Sequence, residues 1–77
     1  MNQWQLIGQD EWVFGPMVRG LVRPVLAEVY FDEGTEGREG GWIWFLCDGQ
    51  KRGKSYCLHA AVDAVEAALG ITKEQQP

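Results

Sequence analysis

The chain has 77 residues, a formal net charge of −4, 45% hydrophobic and 23% charged residues. A chain of this length supports one domain that buries only about 60% of its unfolded surface, yet its apolar content excludes disorder throughout. The acidic balance argues against phosphate binding, no run reaches the ~18 apolar residues of a membrane span, and "MNQWQLIGQDEW" lacks the pattern of a signal peptide.

A cytoplasmic location follows as the expectation, and there the two cysteines stay reduced and too few for a disulfide framework. Four tryptophans, three phenylalanines and two tyrosines then have to supply most of the burial.

In chain order, "QWQLI" (3–7) alternates polar and apolar residues and reads as a short strand with Trp4 and Leu6 on one face. A turn at Gly8–Asp10 leads into "EWVF" (11–14), a second extended piece that Gly15-Pro16 is expected to end. "MVRGLV" (17–22) is β-compatible, with Gly20 marking a bulge or bend and Pro24 lacking the amide that a central strand uses. The path of residues 8–24 across the sheet is left open by these signals.

"PVLAEVYFDE" (24–33) places Val25, Ala27, Val29 and Phe31 on one side and Glu28, Tyr30 and Asp32 on the other, a strand with one wet face. "DEGTEGREGG" (32–41) has four glycines, five charges and no apolar residue, and reads as a flexible hairpin connection. "GWIWFLC" (41–47) is the strongest strand, with Trp42, Trp44 and Leu46 opposite Ile43, Phe45 and Cys47.

"DGQKRG" (48–53) is a polar turn, after which "KSYC" (54–57) returns antiparallel. From Leu58 to Leu69 apolar residues recur at three and four, with His59, Asp63 and Glu66 on the other side. Gly70 stops this helix. Its cap position carries Cys57, a weak acceptor, or Ser55 if the helix starts earlier.

The expected fold is α+β: a three- or four-stranded antiparallel sheet with one C-terminal helix packed on one face, forming a single domain over 1–71 with a flexible tail at 72–77. One face of "WIWFL" packs on the helix. The other stays open unless the N-terminal segment folds over it, and an open aromatic face points to a partner.

Few residues suit catalysis. His59 is the only histidine, and Cys57 two positions before it points in a different direction on a helix, so a thiolate–imidazole pair is not expected. Cys47, Cys57 and His59 would make three zinc ligands without a fourth. No catalytic residue, cofactor or metal is therefore assigned. The basic cluster "KRGK" (51–54), with Arg19 and Arg23, suits phosphate contacts or simply a solvated hairpin tip. Trp42 and Trp44 are either core or, with Trp12 or Tyr30, anchors of a binding patch.

Over residues 41–70, the order of aromatic strand, glycine-containing turn, short strand and the Ala-rich helix "CLHAAVDAVEAALG" resembles short proteins of bacteriophages and prophages, with Cys57 where those carry Ser or Thr. The resemblance implies a β-hairpin-plus-helix module of a kind that often binds and inhibits a host complex, anti-CRISPR proteins among them, and it carries over no site residue.

The combined expectation is a non-catalytic protein-binding module. It docks sterically on a larger host protein or complex through Trp42, Trp44 and Tyr30, steered by Glu33, Glu36 and Glu39, with a homodimer as a further option. The alternative is a nucleic-acid-binding module using Arg19, Arg23, Lys51, Arg52 and Lys54. A membrane partner is not expected.

Overall fold

The computed structural model describes residues 2–70. Six strands precede one helix: β1 (Asn2–Gly8), β2 (Glu11–Val18), β3 (Leu21–Val22), β4 (Ala27–Thr35), β5 (Arg38–Leu46), β6 (Arg52–Ser55) and α1 (Leu58–Ala68). All pairings are antiparallel, in the order β1-β2-β4-β5-β6 with β3 also on β2. The α+β class and the helix on one face agree with the sequence. The three or four strands expected are too few.

The difference arises over residues 11–22, read as a short extended piece followed by a β-compatible stretch, which form two strands, β2 and β3. β2 runs through Gly15-Pro16 instead of ending there. Its ladder to β4 stops at Phe14↔Ala27 and its ladder to β3 starts at Met17↔Val22, so on that side Pro16 lies between two ladders, while on the other it stands opposite Asn2 of β1. The Pro16 carbonyl still accepts from the Arg23 amide at 2.8 Å. Gly20 is not a bulge: Arg19 (φ 55°) and Gly20 (φ 82°) form a two-residue hairpin turn with both residues left-handed, the turn that matches strand twist.

The expected loop 32–41 is also ordered. β4 and β5 pair as far as Thr35↔Arg38 around a tight turn at Glu36-Gly37, where Gly37 has φ 86°. Beyond Phe31 and Trp42 this hairpin has no flanking strand and projects as a two-stranded ribbon.

Successive side chains alternate across a strand. Trp4, Phe14, Ala27 and Leu46 therefore form one row across the sheet, and Leu6, Trp12, Val29 and Trp44 the next. Helix α1 covers these rows with Ala61 and Val65, which are fully buried against Phe14, Ala27, Val29 and Leu46. Small helix residues let the backbone approach, and the sheet's rings fill the space around it.

The helix starts at Leu58 with Cys57 as its N-cap and no side-chain cap bond, and Ser55 belongs to β6. Its end is capped by backbone bonds from Leu69 and Gly70, the latter at φ 81°. Glu66 departs from the expected solvent side, because Trp4 Nε1 donates to its Oε2 at 3.3 Å. The domain limit at residue 71 and the tail at 72–77 lie outside the described residues.

Candidate functional site

The residues singled out from the sequence divide between the two faces. Trp42 and Trp44 lie on the helix side, both half-buried against the core. Tyr30 is opposite Ile43 in the β4–β5 register and so lies on the other side. One patch containing all three does not form.

On the helix side, Phe31 stands directly opposite Trp42, with ring centroids 5.2 Å apart. Phe31 keeps 42% of its surface exposed. This pair marks the root of the ribbon: β6 ends opposite Trp42 at Ser55, β2 ends opposite Tyr30 at Glu11, and beyond them the sheet narrows to two strands. Glu33, Glu36 and Glu39 are exposed on the ribbon beyond it.

Asp32 forms a two-point ion pair with Arg38, at 2.6 Å from Nη1 to Oδ2 and 3.4 Å from Nη2 to Oδ1, and accepts from the Gly34 amide at 2.9 Å. The Arg38 bond first, and the amide bond second, hold the Asp32 carboxyl below the ordinary carboxylate range. The same partner raises the Arg38 guanidinium. With Asp32 paired to the ribbon's single guanidinium, the net negative charge of the ribbon resides on Glu33, Glu36 and Glu39.

The opposite side is partly closed. The β2–β3 hairpin turns back over it, held by Gln5, which donates from Nε2 to the Gly20 carbonyl at 2.8 Å and accepts at Oε1 from the Val22 amide at 2.9 Å. Val13 and Val22 are buried there. Gly15 is required beneath this cover, since a Cβ would strike the Pro24 carbonyl and come within 2.9 Å of Val22 Cγ1. This is the N-terminal covering that sequence left open.

The uncovered part of that side is a concavity of about 560 Å³ lined by Tyr30, Ile43, Phe45, Lys51 and Arg52 together with the β5–β6 turn. Tyr30 and Phe45 meet edge to face at 6.5 Å. The cluster 51–54 thus flanks aromatic rings, while Arg19 and Arg23 lie on the β2–β3 turn and just after β3, away from this concavity.

The residues weighed for chemistry do not assemble. Among the described residues no three His, Cys, Asp or Glu side chains cluster as metal ligands. Cys47 and Cys57 are free and exposed, and His59 Nε2 pairs with Asp63 at 3.3 Å along the helix. Although Cys47 is largely exposed, partial desolvation followed by Glu28 and Asp48 pushes its thiol pKa up, away from a reactive thiolate. No helix among the described residues is long and apolar enough to cross a membrane.

Sequence reasoning missed Phe31 and Phe45 as surface residues. The alternation that places Phe31 beside Trp42 was legible, but reading 32–41 as a loop removed the register that makes the two a pair. The chain matches no family model, no curated protein and no solved structure in comparisons with known proteins.

Proposed function

We propose that the protein is a non-catalytic binding module that docks on a basic surface of a larger protein through the root and flank of the β4–β5 ribbon. Phe31 supplies an exposed ring on the firm support of Trp42, and Glu33, Glu36 and Glu39 steer the encounter. The observation that carries this reading is the exposed Phe31 ring in tilted contact with Trp42 at the base of an acidic ribbon. Trp44 supports the site from within the core, and Tyr30 is not part of it. The resemblance of residues 41–70 to phage-encoded proteins favours a bacterial complex as the target and steric inhibition as the outcome.

The test is capture from bacterial lysate on immobilised protein, comparing the native chain with Phe31→Ala and with a Glu33→Gln, Glu36→Gln, Glu39→Gln triple variant. A discrete captured protein should weaken by about 2 kcal/mol, some 30-fold, on Phe31→Ala. The triple variant should slow association and remove its salt dependence. Unchanged capture by both folded variants would refute the ribbon as the docking element.

A second reading rests on the concavity of the opposite side, where Tyr30 and Phe45 present rings beside Lys51 and Arg52. Stacking plus phosphate contacts there would suit single-stranded nucleic acid. It predicts oligonucleotide affinity that falls steeply with salt and is lost in Tyr30→Ala, whereas the ribbon variants leave it unchanged.

A further inference from the structure

The sheet has two edges, and they differ in chemistry. β6 is four residues long and carries Arg52 and Lys54, the kind of charged, short strand that blocks edge-to-edge pairing. β1 is seven residues long, "NQWQLIG", without a charge or a proline. Its outer side pairs with no strand among the described residues. Leu6 and Ile7 are each 53% exposed, Ile7 at the register irregularity between Leu6 and Gly8.

We infer that β1 is a self-pairing edge through which two copies of this chain join antiparallel about a two-fold axis, merging their sheets into one. This inference is independent of the ribbon docking proposed above and uses a different surface.

Three features select a second copy as the occupant. Each chain carries a net charge of −4, so two copies repel except where an element is neutral, and β1 is the longest strand with no ionisable side chain. Antiparallel pairing centred on Gln5 uses the regular part of the strand, Asn2 to Leu6, and sets Trp4 against Leu6 of the other copy on the helix side. Leu6 thus gains an aromatic cross-strand neighbour, and no charge is buried.

The third feature is the direction of the ribbon. Gly8 of β1 pairs with Glu11, and Glu11 with Tyr30, so the ribbon leaves the sheet at the Gly8 end of β1. Reversing β1 about a two-fold axis sends the two acidic ribbons to opposite ends of the merged sheet. A two-fold axis normal to the sheet also keeps both helices on one side. The closed, isologous arrangement therefore separates the strongest like charges while joining the only long neutral edge.

Sedimentation equilibrium of the native chain should show a dimer. Leu6→Lys sets two lysines diagonally across the joined strands, on an edge that a lysine protects from pairing, and should raise the dissociation constant by at least about tenfold. The circular dichroism spectrum of Leu6→Lys should stay that of the native protein. As a second readout, amide exchange should slow in β1 with rising concentration of the native chain but not of the variant. A native monomer at several hundred micromolar would overturn the inference, as would a dimer whose dissociation constant is unmoved by Leu6→Lys. A dimer disrupted by Arg52→Glu but not by the β1 variant would place the contact on the other edge and overturn it equally.

Discussion

At the scale of single residues, glycine positions show how tightly the sheet is layered. Gly53 on β6 faces Trp44 on β5, and a Cβ at residue 53 would come within 2.8 Å of the indole Nε1 and 2.9 Å of two ring carbons. The ring therefore lies flat across the strand in space that only glycine leaves. Gly53→Ala should destabilise the protein by about 1–3 kcal/mol, the usual cost of overpacking, and shift tryptophan emission as Trp44 is pushed outward. Denaturant unfolding followed by fluorescence measures both, and an unchanged midpoint would show that the ring yields freely. Cys57 is the residue that least fits its place: its extended backbone (φ −143°, ψ 165°) is that of a helix cap, but the thiol makes no cap bond.

At the scale of elements, the ribbon is held by local chemistry and not by packing. Past Phe31 and Trp42 it is held by its own ladder, the turn at Glu36-Gly37, the Asp32–Arg38 ion pair, the Gly34 amide bond to Asp32 and a bond from Lys54 Nζ to the Glu39 carbonyl at 2.9 Å. The Asp32 carboxyl is held below its ordinary value in the folded ribbon, so its contribution is complete above about pH 5, where an unfolded aspartate is almost fully ionised. It is lost as pH falls through the lowered folded value. Amide exchange in residues 32–41 should therefore accelerate in acid relative to the rest of the sheet, after correction for intrinsic rates, and Asp32→Asn should abolish that difference. Because the pair is exposed, global stability should change little in either case.

At the scale of the whole molecule, one small core joins every layer. Phe14, Ala27, Val29 and Leu46 from three strands meet Ala61 and Val65 from the helix, and the half-buried tryptophans enclose this set. With so few fully buried side chains, each carries a large share of the stability. Val65→Ala should cost about 2 kcal/mol and lower Tm by roughly 10 °C in a single cooperative transition. Calorimetry would show instead two transitions if sheet and helix were separate units. The principal extents of 41 × 29 × 23 Å describe an elongated molecule, consistent with a ribbon that projects past this core.

The division of each strand into two faces was legible from local alternation, as in "AEVYF" and "WIWFL", because side-chain direction in a strand depends only on parity. The helix from Leu58 and its stop at Gly70 were legible for the same kind of local reason. What local signals misjudged was punctuation. Gly15-Pro16 and the glycines of 32–41 break isolated strands, but tertiary pairing overrode that preference by placing Pro16 between the β3 and β4 ladders and by turning Glu36-Gly37 into a tight hairpin.

The sequence by itself determined which residues share a face, since that follows from neighbours one or two positions away. Only the tertiary structure decided which face the helix takes, how the β2–β3 hairpin covers part of the other, and that Trp42 pairs with Phe31 and not with Tyr30. Those outcomes depend on contacts between residues far apart in the chain, where register and layering compete for the same limited apolar surface.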